Sequence, residues 1–367
     1  MSNDAKSVML TREKIRGAFL GIAVGDALGM PVESFSRQKI REEYGRVTRY
    51  LVPDGHKWFN GHQSGEYTDD TQLSLAVAEG LMATATKGCS LDVFMEGQVA
   101  SHVDAFREHT NGWGRSTRKS IRKLTNNVSW EESGQGGKEY DGCGNGVPMK
   151  IAPLALWFYM QYYDEMTTGR MASIPYIQSL SKMTHQTSIA TSAALAQAFA
   201  VNYCCGIERP DEFSCDDFIS QVIFGAELGK VVFPDTLDDD LVSQFEKLQD
   251  FCGVSEFEER IDEEFGAGSC YCFHSLPFTY VHFLRDRTIN GLYDIVSAGG
   301  DTDTNGAMWG ALYGVMHGEK GFPEELIDGL RNLECVLDVA DRFSEKLLDN
   351  DENPENDPET IENQGFE

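Results

Sequence analysis

Two stretches of this chain set carboxylates side by side at the start of apolar helices: Thr68-Asp69-Asp70-Thr71, and Asp301-Thr302-Asp303-Thr304 behind Gly299-Gly300. A single aspartate there is ordinary, because it caps free amides and faces the positive end of the helix dipole. A second one alongside cannot cap equally well, and neighbouring acids repel and raise one another's pKa. A hard divalent cation with oxygen ligands relieves that repulsion, and threonine hydroxyls can complete its shell. The donor set favours Mg²⁺, Mn²⁺ or Ca²⁺ over zinc. From these residues alone, helix capping and a cation site both remain open.

The elements that must position these acids read as helices. Arg12 to Gly29 carries Ile15, Phe19, Ile22 and Val24 with small residues between them, the pattern of a tightly packed helix. Gln72 to Ala85 is predicted as a second, entered through Thr68-Asp69-Asp70-Thr71. Further predicted helices span 91–107, 113–124, 150–163, 174–182, 187–204, 215–228, 239–251, 276–285, 288–296, 304–316 and 324–347. Strand patterns are scarce, with Arg46 to Val52 the best of them. The fold class is therefore all-α, with long loops at 53–67, 129–148 and 252–270, a length that points to function or disorder. The expected organisation is an extension over 1–11, a helical domain over 12–347 and a tail over 348–367. From Asp349 onward that tail has eight acidic residues and no basic one, and is expected to be disordered.

Of the 367 residues, 59 are acidic and 31 basic, for a net charge of −28. Such a surface repels phosphate backbones and anionic membranes, which argues against a nucleic-acid or membrane partner. It suits divalent cations, a basic protein partner, or simple solubility. Nine cysteines without a CxxC pair, and the short polar start MSNDAKSVML, lead us to expect a reduced, cytoplasmic protein. The longest small-apolar run, Ser188 to Cys205, is broken by Ser192, Gln197 and Asn202 and reads as a buried soluble helix.

Five motifs in order then carry a resemblance. Gly17 to Glu33 (GAFLGIAVGDALGMPVE), Tyr67 to Gln72 (YTDDTQ), Gly142 to Pro153 (GCGNGVPMKIAP), Thr184-His185 and Gly299 to Asn305 (GGDTDTN) together resemble the ADP-ribosylglycohydrolase family, also known as the dinitrogenase-reductase-activating glycohydrolase family. Ser275-Leu276-Pro277 falls where that family has a helix start, and the motifs span about residues 12–320. The resemblance implies an all-α fold with two divalent cations, Mg²⁺ or Mn²⁺, at the helix N-termini. Thr68, Asp69, Asp70, Asp301, Asp303 and Thr304 would be the ligands, with Asp303 the bridge and Thr302 turned away to hold the turn. Glu33 is a further ligand, a gating carboxylate, or a surface acid beside Pro31. Asp26 reads as structural, hydrogen-bonded to a nearby loop.

For the substrate, backbone amides around Gly144, Asn145 and Gly146 either cradle a diphosphate or form a plain turn. The resemblance places His185 near the ribose or diphosphate, although a lone histidine is otherwise a core residue. Trp113 is a candidate to stack on adenine, to border the pocket, or to sit in the core. Some relatives carry an acidic residue proposed as the base near Gly112. Here Asn111-Gly112 stands in that segment, so the role passes to Asp69, Asp70 or Glu33. The implied activity is metal-dependent hydrolysis of ADP-ribose from a protein side chain, with ADP-ribosyl-arginine favoured over a serine linkage. The alternative is an immunity protein that binds and neutralises an ADP-ribosylating toxin.

Overall fold

The computed structural model describes residues 9–84, 89–108, 110, 112–138, 140–162, 166–230, 232–233, 239–251 and 257–348. Among these residues the architecture is all-α, with two isolated bridges, Ser36 with Gly299 and Gly144 with Tyr271, as the β pairings. Residues 1–8 of the N-terminal extension and the tail from 349 lie outside the described residues.

At the centre, the Arg12–Gly29 helix packs along the Thr302–His317 helix. Its start is fixed by Thr11, whose side chain accepts from the Lys14 amide. Gly17, Gly21, Gly25 and Gly29 recur every four residues on one stripe. A Cβ added to each would stand 2.3, 1.9, 2.1 and 2.2 Å from the carbonyl oxygens of Gly314, Gly310, Gly306 and Thr302. The two backbones therefore touch, and the descending order of partners makes the pair antiparallel. This packing brings Asp26 and Glu33, at the end of one helix, to Asp301 and Asp303, at the start of the other. The stretch Arg12–Val32 is long and apolar enough to span a membrane, but it is 94% buried as the core of this fold.

The Asp69–Thr84, Ala152–Gln161, Ser188–Cys205 and Cys272–Arg285 helices surround the central pair. Ser188–Cys205 begins on Thr187, whose hydroxyl accepts from the Ala190 amide, and is buried almost throughout. Several expectations are corrected. Arg46 to Val52 is not a strand; it is irregular chain held by contacts such as the Val47 amide on Ser297 Oγ at 2.9 Å. The predicted loop 252–270 contains the Phe257–Phe265 helix, which buries Ile261 and Phe265 one turn apart. The predicted helix 324–347 is two, Glu324–Gly329 and Leu333–Leu348. They are separated where Asn332 takes φ 53° and the Arg331 amide donates to the Gly65 carbonyl at 2.8 Å. Arg37–Glu43, absent from the sequence reading, is a helix started by Ser36.

Candidate metal centre

Five acids meet where the central helices join the start of the Asp69–Thr84 helix. Carboxylate oxygens of Asp26, Asp70 and Asp303 lie within 4.8 Å of one another, and so do those of Glu33, Asp301 and Asp303. Asp303 belongs to both groups. All except Glu33 are buried, and Glu33 is the one at the solvent edge.

Asp26 is the organiser of this cluster. Its two oxygens accept from the Thr68 amide at 2.9 Å, the Thr68 hydroxyl at 2.8 Å, the Thr71 hydroxyl at 2.7 Å and the Thr71 amide at 3.1 Å. Those bonds occupy its lone pairs and clamp the start of the Asp69–Thr84 helix from a different helix. Asp70 stands in contrast: its Oδ1 is buried with no hydrogen-bond partner among the described residues. Its Oδ2 takes the Thr304 hydroxyl at 3.3 Å and a long contact from Thr68. A buried carboxylate oxygen without a donor costs several kcal/mol if charged, unless a cation meets it.

The second motif is held just as firmly. The Thr302 hydroxyl donates to the Gly29 carbonyl at 2.8 Å, and the Asp301 amide donates to the Gly268 carbonyl at 3.0 Å. Asp301 Oδ2 accepts from the Asn145 side chain at 2.6 Å. Asn145 also reaches Ser275, which donates to Asn305, which in turn donates to the Gly268 carbonyl. The Asn145 amide is already spent on the Cys270 carbonyl at 2.9 Å, so it is the side chain, rather than this amide, that serves the centre. Gly144 pairs with Tyr271 in an isolated bridge, and a Cβ on Gly146 would stand 2.7 Å from the His185 ring. The glycine loop and His185 are therefore brought together as one packed unit, with the ring's Nδ1 2.9 Å from the Thr184 hydroxyl.

Asp69 and Trp113 lie beside the two carboxylate groups without belonging to either. Asp69 Oδ2 accepts from the Gly114 amide at 3.2 Å. Gly112 has φ +82°, and a Cβ there would meet Thr68 at 2.9 Å and Asp69 Oδ1 at 3.0 Å, so position 112 has no room for an acidic side chain. Trp113, read as a stacking, pocket-bordering or core residue, takes the core position: it is 2% exposed, donates its indole N–H to Gln72 at 2.8 Å and packs on Phe106.

Burial dominates the electrostatics. It raises Asp26 to about 6, Asp69 to about 7 and Glu33 to about 8, with repulsion from neighbouring acids adding to the last two. Asp70 and Asp303 rise well above the ordinary range for the same reasons, and Asp301 rises too. Lys150, which sequence reasoning passed over inside the glycine motif, is fully buried with no hydrogen-bond partner for its Nζ among the described residues. Burial lowers it to about 7, opposed by Asp69. Burial and then Lys150 hold His185 down to about 3, so its imidazole is neutral at physiological pH.

The donor set passes the test for hard cations. It is all oxygen, densely anionic, and contains one buried oxygen that no donor satisfies. Compared with known proteins, residues 8–354 match the family profile described as ADP-ribosylglycohydrolase. The chain is 25% identical to ADP-ribosyl-[dinitrogen reductase] glycohydrolase of Rhodospirillum rubrum, over 85% of this chain and 88% of that one. It is 24% identical to ADP-ribosylhydrolase ARH3 of Mus musculus, over 85% of each. A solved structure titled as an ADP-ribosylglycohydrolase-related protein complex shares the fold at TM-score 0.62 and 24% identity, covering 92% of this chain and 98% of its own.

Proposed function

The chain belongs to the ADP-ribosylglycohydrolase family, and from that premise we propose that it removes ADP-ribose from a modified arginine side chain, using two divalent cations, Mg²⁺ or Mn²⁺. The observation that carries this reading is Asp303, shared by two carboxylate groups beside the unsatisfied Asp70 oxygen. Asp70, Asp301, Asp303 and Glu33 would hold the cations, with the Thr68 and Thr304 hydroxyls lending lone pairs. When bound, the cations supply charge neutralisation and Lewis acidity at the ribose. Asp26 is left as the clamp that sets the helix start.

The chain's own residues then have distinct tasks. The ring carbon of the ribose gains positive character as the glycosidic bond breaks, and the anionic centre stabilises it. Glu33, the one acid at the solvent edge, would take a proton from the attacking water once the charge of bound cations brings its raised pKa down. Neutral His185, with Gly146 beneath it, offers a ring nitrogen to the ribose or diphosphate. The decisive experiment incubates the protein with arginine-, serine- and aspartate-linked ADP-ribosyl proteins in Mg²⁺, Mn²⁺ or chelator. Release from the arginine linkage alone, abolished by chelator, is expected; full turnover in metal-free protein would sink the proposal. The immunity reading draws on the −28 charge, and protection of toxin-exposed cells by an inactive Asp303→Ala variant would favour it.

A second expectation follows from the buried acids. Their folded pKa values lie above those of unfolded carboxylates, so below about pH 4 both states are protonated and the cation-free fold is unburdened. As pH rises from there through about 6, 7 and 8 for Asp26, Asp69 and Glu33, the folded state retains protons that the unfolded state has lost. Stability falls by about 1.4 kcal/mol per pH unit for each retained proton. The six acids outweigh the opposite trend of buried bases such as His185 and Lys150, so chelated protein should melt progressively lower from pH 5 to pH 8. The rise in melting temperature on adding Mg²⁺ or Mn²⁺ should grow over the same window. Differential scanning fluorimetry reads both, and a metal-induced rise that ignores pH would count against the buried acids as ligands.

A further inference from the structure

An open groove of about 990 Å³ lies between the Asp69–Thr84 and Leu91–Glu108 helices, closed on a third side by Cys335 and Val339. The geometry points to this groove as the docking site for a cationic, amphipathic segment of the protein that carries the ADP-ribosyl group. The inference rests on the hydrolase reading for the identity of that partner.

Position is the first argument. The inner end of the groove is formed by Tyr67 and Gln72, which bracket Thr68-Asp69-Asp70. The Gln72 side chain is bonded to Trp113, and the Gly114 amide that follows Trp113 donates to Asp69. The groove thus starts one residue layer from the acid centre. It runs along the helix from Gln72 to Thr84, roughly 18 Å at 1.5 Å per residue. That length matches about three turns of helix or an extended segment of about six residues.

Shape and charge then select the occupant. The floor is small and apolar, with Leu75, Ala76, Ala83, Ala100 and Ala105, so a partner can bring aliphatic side chains against it. The walls carry Glu66, Glu79, Glu96, Asp104 and Glu108, and among the described residues no lysine or arginine lines them. His62 faces Glu66, while Arg342 pairs Glu79 and Arg107 pairs Asp104 from outside the lining. Glu96 and Glu108 have no ion pair among the described residues, so the groove is left with uncompensated negative charge. Guanidinium groups match carboxylates of this kind bidentately. A neutral segment gains only the floor, and an acidic one is repelled. Beyond Gly114 the chain enters the Arg115–Thr125 helix, which has five basic residues and no acid. The surroundings of the centre are therefore polar in the electrical sense, with a basic helix after Gly114 for the anionic ADP-ribose and an acidic groove before it for the polypeptide.

The test measures binding first. A fluorescein-labelled amphipathic Leu/Arg peptide, unmodified, should bind the full chain and weaken steeply with salt. Glu96→Lys/Glu108→Lys, both exposed positions, should weaken it by roughly 10-fold or more, whereas Asp303→Ala should leave it unchanged. With the same arginine ADP-ribosylated, the groove variant should raise KM for the peptide and leave turnover of free ADP-ribosyl-arginine as in the wild type. A Leu/Gln peptide that binds as tightly, or a charge-reversed variant that binds the Leu/Arg peptide normally, would overturn the docking site. If groove-dependent binding stands but no ADP-ribosyl substrate is released, the groove holds and the hydrolase reading falls.

Discussion

Asp303→Asn is expected to lower ADP-ribose release by roughly 10²–10³-fold, the scale lost when one preorganised charge-stabilising group is removed, and at the same time to stabilise the chelated protein. The two effects have one cause. Asp303 is buried and held well above its ordinary pKa, first by burial and then by Glu33, Asp301, Asp70 and Asp26. In the absence of cations its charge opposes folding, and the amide keeps its shape while removing that charge. In their presence it is the one acid common to both carboxylate groups. A residue kept for packing would do the opposite, since its loss would cost stability and spare the chemistry. Single-turnover release and chelated melting curves separate the cases, and the metal-induced melting rise should shrink with the activity. Wild-type release by Asp303→Asn would remove this residue from the centre.

Much of this centre was legible because its chemistry is local in sequence. Paired acids at a helix start, Asp69-Asp70 and Asp301 with Asp303, announce themselves within four residues. The main helices were equally plain where a threonine caps them, as at Thr11 and Thr187. What escaped notice depends on contacts across the chain. Asn145 serves Asp301 from 156 residues away, and Ser275 meets Asn305 across 30. Lys150 looked like one more residue of the glycine motif, since only the fold shows it buried with an unmatched Nζ. Trp113 could be stacking, bordering or core from sequence, because its 2% exposure is set by packing on residues such as Phe106 and Gln72 that only the fold brings to it. The Phe257–Phe265 helix hid in an acidic stretch because its buried positions, Ile261 and Phe265, are too few to set a period. Asp26 was read as structural from its small apolar surroundings, and its four donors give the physical content of that reading.

Gly21→Ala is expected to destabilise the protein by roughly 4 kcal/mol or more, a loss of the size seen when core backbone geometry is violated. An added Cβ would stand 1.9 Å from the Gly310 carbonyl oxygen, a backbone atom that cannot swing aside as a side-chain end can. Relief requires the two central helices to part along their length, and close-packed interiors answer such overpacking with strain throughout. Gly206→Ala is the control, because its Cβ would meet the nearest atom at an ordinary 3.4 Å, and it should change stability by less than about 1 kcal/mol. Urea unfolding compares the two, and equal midpoints would mean that the helices are not in backbone contact. The same ladder predicts a gradient in function. Gly17→Ala strains the end far from the acids, while Gly29→Ala presses on the Thr302 carbonyl at 2.2 Å, one residue from Asp301 and Asp303. Protein that survives either change should keep more of its release rate with Gly17→Ala than with Gly29→Ala. The spacing of the helices sets the distance between Glu33 and the second acid motif, and a shift of about 1 Å at such a site is enough to cost on the order of 10²-fold. Glycine at every fourth position is therefore a requirement of the chemistry as much as of the fold.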